Sequence, residues 1–359
     1  MTTSPLPAGS TIGILGGGQL GRMLSVAASR LGFKCHIYEP SAEPPAGHVA
    51  QQVTTAPYDD HAALAKFGQS VDVITYEFEN VPTAALDQLE ALAPIFPPRQ
   101  ALSTSQDRIF EKDFLAGLGL NLAPYANVET AEDLAAAVAK IGTPSILKTR
   151  RFGYDGKGQV RLKNPDDARK AWAELGETPC VLEGFVDFTH EVSVIGARDK
   201  AGVVICFEPG ENVHKDGILD TTTLPANLST SQIQDAVLLT GKILTALDYV
   251  GVIGVELFVS PAGLIVNEFA PRVHNSGHWT QDACVIDQFE QHIRAIAGWP
   301  LGAATRHSDV VMTNLLGADA LNLDALTNDP SIALHLYGKA EAKAGRKMGH
   351  YNKLGQPAK

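Results

Sequence analysis

The chain has 359 residues, enough for two or three domains that each bury a core, and its 45% hydrophobic and 19% charged residues form an ordinary globular balance. A formal net charge of −11 argues against general affinity for nucleic acid, while leaving room for a few Arg and Lys to converge on an anionic ligand. The four cysteines are scattered without CxxC spacing, no apolar run reaches 18 residues, and MTTSPLPAGS lacks a charged-then-apolar leader, so reduced thiols in a cytoplasmic protein are expected.

Along residues 11–97, strands and helices alternate. Thr11–Leu15 reads as a strand, followed by a glycine turn and a helix through Arg30; Lys34–Tyr38 and Val71–Tyr76 read as strands, with a helix near Asp60–Phe67. This alternation predicts a doubly wound parallel sheet, an α/β unit closed by the proline cluster at 94–98. Gly16-Gly17-Gly18-Gln19-Leu20-Gly21 satisfies the dinucleotide fingerprint, and Glu39 ends the next strand where an acidic residue would meet ribose. An NAD-dependent dehydrogenase is therefore one reading. A glycine turn at a helix start also offers N–H groups to any phosphate, and it can serve packing alone.

A helix is expected after Ser105, with that hydroxyl as its cap, ending near Gly117–Gly119. Thr130–Ile141 reads as a helix and Ser145–Thr149 as a strand, followed by further strands near Val181–Leu182, Glu191–Ile195 and Val203–Phe207. Ser231–Leu247 is an amphipathic helix, and beyond Trp299-Pro300 lies a smaller, more polar unit.

Three stretches point to a nucleotide. SILKT places Lys148 beside the loop RFGYDGKGQ, whose glycines permit close backbone approach to phosphates, although a plain surface turn would look the same. Glu183-Gly184-Phe185-Val186 suits an adenine slot, and Glu191 could accept from ribose hydroxyls; solvated strand ends are the alternative. Val252–Val259 and Leu264–Phe269 read as a hairpin joined by a three-residue loop after Ser260, a register that sets Glu256 opposite Glu268. Facing carboxylates repel unless a cation lies between them, and oxygen ligands beside a triphosphate favour Mg²⁺.

Taken together, GILGGGQLGRM, ITYEFENVP, LKTRRFGYDGKGQ, NEFAPRVHNSGHWT and YGKAEAKAGRKMGHYN span essentially the whole chain in order. In them the chain resembles the ATP-grasp family and, within it, the carboxyaminoimidazole ribonucleotide synthases, the ATPase subunits of phosphoribosylaminoimidazole carboxylase. The resemblance implies an α/β and α+β fold with three parts: an N-terminal pre-ATP-grasp domain over residues 1–98, an ATP-grasp domain with a glycine-rich lid over 99–298, and a C-terminal domain over 299–359. It also implies ATP- and bicarbonate-dependent carboxylation of aminoimidazole ribonucleotide through carboxyphosphate, with ATP and Mg²⁺ as cofactors and a homodimer as the assembly.

Carried over by position, Arg108, Lys148, Gly153, Tyr154, Asp155, Gly156, Lys157, Gly158, Gln159, Glu183 to Val186, Glu191, His214, Asn267 and Glu268 would surround ATP. Glu256 and Glu268 would hold the metal. Gln19, Leu20, Glu77, Tyr154, Asp155, Asn275, Lys339, Arg346 and Lys347 would meet the ribotide, with Lys353 favouring the same phosphate pocket. Arg272 is the candidate for holding bicarbonate and then carboxyphosphate by a bidentate contact. Lys148, Arg272, Glu268 and Asn275 form the expected catalytic set. His274 and His278 could relay a proton or be structural, and His350 is undecided. A formate-dependent glycinamide ribonucleotide transformylase would share the ATP site, but NSGHWT and the chain length stand against it.

Overall fold

In the computed structural model, which describes residues 4–153 and 156–357, the described strands form three sheets. The first is parallel, in the order Gln52–Thr54, Lys34–Tyr38, Thr11–Leu15, Val73–Tyr76. Ile12, Ile14, Ile37, Val73 and Ile74 are all buried, as expected for strands covered on both faces. Helix Gln19–Arg30 packs on one face beside helix Gln288–Ala297, and helices His61–Gln69 and Thr83–Glu90 cover the other with Phe67, Leu86 and Leu89.

The second sheet is small and antiparallel, in the order Tyr125–Val128, Cys180–Gly184, Ser145–Thr149, Gln159–Leu162. Helix Ala131–Ile141 packs against it and opens on a capping box, the Thr130 hydroxyl accepting from the Asp133 N–H while Asp133 accepts from the Thr130 N–H.

The third sheet is the spine of the molecule. Its main path runs Gly263–Ala270, Gly251–Ser260, His190–Arg198, Gly210–Lys215, Ile218–Leu224, Ser308–Leu316, Lys347–Pro357, Ile332–Leu336. The C-terminal strands therefore extend the central sheet, through pairing of Thr221–Leu224 with Val310–Thr313. Helix Thr230–Ala246 covers Val192, Val194 and Val255 on one face of this sheet.

Two of the differences from expectation bear on the site. Ser105 ends helix Arg99–Ser105 and its hydroxyl bonds back to Leu102 O, so the next helix, Arg108–Gly117, is capped instead by the Asp107 carboxylate on the Ile109 N–H. The hairpin Gly210–Lys215/Ile218–Leu224 is absent from the expected elements, although Asp216-Gly217 (φ 52° and 77°) is the residue pair that a two-residue hairpin turn demands.

The sheets are joined by polar contacts as well as packing. Buried His292 meets the Thr75 hydroxyl through Nε2 and accepts the Val252 N–H at Nδ1, tying the parallel sheet to the central one. Residues 185–189 link the small sheet to the central one.

Candidate functional site

The glycine turn is closed by the protein's own acids. Glu77, at the end of the neighbouring strand, accepts the Gly18 N–H (2.5 Å) and the Gly21 N–H (2.8 Å), while Glu39 accepts the Gly17 N–H (2.8 Å). The positive end of helix Gln19–Arg30 is thus satisfied by a buried carboxylate where a dinucleotide phosphate would sit. A Cβ on Gly18 would lie 2.5 Å from Glu77 Oε1, so this approach requires glycine. The expectation of free N–H groups is corrected accordingly, and with it the dehydrogenase reading. Leu20 is buried in the core, leaving Gln19 half-buried at the mouth of the turn.

Glu256 and Glu268 are directly opposed, as expected, but by another route. Ser260 pairs with Gly263, so the connecting loop has two residues, and a bulge after the Leu257–Val266 pair restores the register. Asn267 and Glu268 both stand opposite Glu256, and both are half-buried, whereas Val266 and Phe269 face the core. Arg108 donates to Glu268 Oε2 at 2.7 Å. Burial would raise the Glu268 pKa, but Arg108 outweighs it and pulls the carboxyl down to about 2. Glu256 lacks such a partner; burial and the Glu268 charge push it up to about 7. His274 Nε2 lies 3.4 Å from Glu256 Oε1, and burial together with Arg272 keeps that imidazole neutral.

These two carboxylates fit Mg²⁺. They are hard oxygen donors, and their mutual repulsion is what a divalent cation would relieve. Among the described residues no group of three or more His, Cys, Asp or Glu is gathered for an ion.

Facing them across the cleft, Lys148 Nζ lies 3.0 Å from Glu183 Oε2. Burial would raise the Glu183 pKa, but Lys148 and Lys112 bring it down. Glu183 is therefore an inward-facing partner for lysines, and its strand end leads into the linker. There the Gly184 and Phe185 N–H groups bond to Pro124 O and Pro144 O, and Arg161 stacks on the Phe185 ring at 4.3 Å. Val186 follows in the linker, half-buried, between exposed Phe185 and the next strand in sequence. Glu191 and His214 lie on neighbouring strands with Oε2 and Nδ1 3.4 Å apart. In the glycine loop, Gly153 approaches Arg108, and a Cβ on Gly156 would come within 3.3 Å of Gly217 Cα. Lys157 and Gln159 are exposed, and Gly158 O accepts the Thr149 N–H. Tyr154 and Asp155 lie outside the described residues.

Arg272 connects the two halves of the site. Its guanidinium pairs with Glu79 and donates to Val273 O, and both Glu77 and Glu256 act on its charge. Asn275 exchanges two hydrogen bonds with Asn314, each 2.9 Å. Lys339 Nζ donates to Lys347 O (2.7 Å), and the Lys347 charge reaches Glu256 and His214. Arg346 is exposed, bonded to Glu341 O. Lys353 is not brought to this pocket: it pairs with Asp329 at 2.9 Å, roughly 20 Å along the strand from Lys347. His278 and His350 are buried, kept neutral by that burial, and engaged with Gln288 and the Tyr337 hydroxyl respectively, which favours the structural alternative for both.

Sequence reasoning missed Glu79, Glu111, Lys112 and Asn314. Lys112 donates to Asn267 O (2.8 Å), Glu111 accepts the Phe269 N–H (2.7 Å), and Glu79 holds Arg272. Glu79 alone had a signal, its place in ITYEFENVP two residues beyond Glu77.

Comparison with known proteins agrees with this geometry. Residues 9–106 match the ribonucleotide synthetase pre-ATP-grasp domain, 113–289 the ATP-grasp domain, and 310–359 the phosphoribosylaminoimidazole carboxylase C-terminal domain. The chain is 54% identical over 357 residues to an N5-carboxyaminoimidazole ribonucleotide synthase of Brucella melitensis, covering 99% of each. It superposes on an ADP complex of N5-carboxyaminoimidazole ribonucleotide synthetase with a TM-score of 0.94 and 42% identity, covering 99% of this chain and 94% of that one. The Aspergillus clavatus enzyme in complex with ADP and 5-aminoimidazole ribonucleotide gives 0.91 at 31% identity, covering 97% and 94%.

Proposed function

The chain belongs to the N5-carboxyaminoimidazole ribonucleotide synthase family of ATP-grasp ligases, and from that premise we propose how its own residues divide the work of carboxylating aminoimidazole ribonucleotide. Relatives of this name act in purine biosynthesis, and the reaction joins bicarbonate-derived carbon to the ribotide's exocyclic nitrogen with conversion of ATP to ADP and phosphate.

ATP would be held between the small antiparallel sheet and the central sheet, with Val186 offered to the base and Glu191 and His214, 3.4 Å apart, to the ribose. Lys148, Arg108 and the described residues of the glycine loop would face the phosphates with Asn267, and Glu256 and Glu268 would hold Mg²⁺ beside them. The cation supplies charge neutralisation on the transferred phosphoryl group.

Bicarbonate is a weak electrophile until one of its oxygens takes the γ-phosphoryl group, giving carboxyphosphate and ADP. Arg272 holds the anion. It is fixed by Glu79 at one side and lies within electrostatic reach of Glu77 and Glu256, so it spans the ribotide end and the phosphate end of the site. That placement is the observation that carries the assignment. Carboxyphosphate then releases CO₂ and phosphate inside the closed site, and the ribotide amine attacks the CO₂ beside Glu77, its proton passing to the released phosphate. Exclusion of water protects an intermediate that hydrolyses readily. Asn275, fixed by Asn314, and Lys339, Arg346 and Lys347 receive the ribotide's sugar and phosphate.

We place the working units at residues 1–98, 99–298 and 299–359, consistent with Pro98 capping the helix that opens the second unit. A homodimer in the cytoplasm is the setting we propose, the four free cysteines being consistent with a reducing compartment and the dimer resting on the family resemblance alone. Measuring ADP release with bicarbonate and aminoimidazole ribonucleotide tests the function.

A further inference from the structure

We propose that Lys112, assisted by Glu111, is a positioning residue that sets the divalent-cation ligands by clamping the bulge at Asn267. The proposal rests on the reading of Glu256 and Glu268 as those ligands.

From Ser260–Gly263 to Leu257–Val266 the hairpin is regular. Continued without interruption, it would pair Glu256 with Asn267. Glu268 would then share the face of Leu264 and Val266, both buried in the apolar core, because strand side chains alternate. The bulge prevents this. It brings Asn267 and Glu268 together opposite Glu256 and returns Phe269 to the core, where Phe114 packs edge-on against it.

A bulge disrupts the ladder and leaves peptide groups in need of other partners. Here one turn of helix Arg108–Gly117 supplies them. Lys112 Nζ donates to Asn267 O at 2.8 Å, Glu111 Oε1 accepts the Phe269 N–H at 2.7 Å, and Arg108 holds the Glu268 carboxylate between them. Positions 108, 111 and 112 follow the spacing that puts residues on one helix face, so a single rigid element grips three consecutive residues of the strand.

Lys112 has a side-chain exposure of 1%, so it cannot touch ATP or ribotide directly. A buried ammonium is costly unless paired and fully bonded, and this one is shared between Asn267 O and Glu183 at 3.3 Å. Charge-assisted bonds to peptide groups are stronger than neutral ones, which suits a clamp that must hold an irregular register. Removing the clamp should loosen Asn267 and Glu268 and so misplace Glu268 relative to Glu256, while Glu183 keeps Lys148 as its partner at 3.0 Å and the strand end leading to the adenine slot stays in place.

The test titrates Mn²⁺ into ADP-saturated enzyme by calorimetry and measures ADP affinity separately in the presence of chelator. Lys112→Met should weaken Mn²⁺ binding by about 10- to 100-fold, the range seen when groups that orient metal ligands are removed. Metal-free ADP affinity should change by less than about threefold, and Lys112→Arg, which keeps a charged donor, should recover most of the Mn²⁺ affinity. A general structural defect would move both affinities together and would overturn the proposal. If Lys112→Met does not fold, Glu111→Leu decides by the same criterion, with unchanged Mn²⁺ affinity in the folded variant counting against the clamp. Glu268→Gln separates the two levels. If it loses Mn²⁺ while folded Lys112→Met binds it normally, the clamp is wrong and the ligand reading stands; if Glu268→Gln binds normally, the ligand reading itself is wrong.

Discussion

Glu256 and Glu268 are paired across neighbouring strands, yet they differ widely in proton affinity. Burial and the Glu268 charge push Glu256 up to about 7, whereas Arg108 overcomes burial at Glu268 and draws it down to about 2. Of the two, only Glu268 is ionised throughout the neutral range, which makes it the readier of the proposed ligands.

It follows that cation binding at neutral pH should displace a proton from Glu256. Below pH 7, Glu256 is increasingly protonated before binding and ionised afterwards, so affinity for Mg²⁺ in the ADP complex should fall by about tenfold per pH unit. Calorimetry at pH 6 in two buffers of different ionisation enthalpy should show nearly one proton released per Mg²⁺. Equal heats in the two buffers would refute the assignment of Glu256.

Arg272→Lys preserves charge but removes the planar fork that pairs with Glu79 and that we propose to hold a carboxylate-like anion. We expect bicarbonate-dependent turnover to fall by about 10²- to 10³-fold, the range for loss of one preorganised anion-stabilising donor, with ADP affinity unchanged. Turnover within threefold of the parent enzyme would show that Arg272 does not handle the bicarbonate-derived group.

Glu77→Gln should destabilise the glycine turn. The amide retains one acceptor for the Gly18 and Gly21 N–H groups, but its NH₂ faces a second donor. A loss of about 1–3 kcal/mol in urea unfolding is expected, accompanied by a higher KM for the ribotide. An unchanged unfolding midpoint would mean that Glu77 is not the anion closing this turn.

His292 should contribute to acid sensitivity. Burial depresses its pKa from 6.5 to about 3, so between these values the unfolded chain binds a proton that the folded chain excludes. This contribution is present in full above pH 6.5 and is lost as the pH falls, at up to about 1.4 kcal/mol per unit. In His292→Gln, the slope of unfolding free energy against pH between 4 and 6 should be shallower by nearly one proton. An identical slope would contradict the neutral, buried state.

Much of this fold is legible locally, because periodicity and caps are local. The strands Thr11–Leu15, Lys34–Tyr38 and Ser145–Thr149 follow from their apolar runs and the helix at Ala131–Ile141 from its alanine-rich composition, whereas the cap expected at Ser105 lies at Asp107. The pair Asp216-Gly217 carried the signal for a hairpin that was overlooked. Other features are set by contacts between distant segments and have no local signature. Lys112 lies 155 positions from Asn267, and nothing in the surrounding EKDF indicates a buried clamp. The opposition of Glu256 and Glu268 was reached from a three-residue loop, whereas the chain achieves it with a two-residue loop and a bulge. Both add one residue to the same strand, so sequence spacing cannot distinguish them. Likewise, the fingerprint at 16–21 does not reveal that Glu77 fills the place of a phosphate.

The most direct test of the central claim is ADP release measured with bicarbonate or formate, each crossed with aminoimidazole ribonucleotide and glycinamide ribonucleotide. Strong stimulation by aminoimidazole ribonucleotide with bicarbonate is predicted, abolished in Glu268→Gln without loss of the folded state. Turnover confined to formate and glycinamide ribonucleotide, or full activity in Glu268→Gln, would contradict the account.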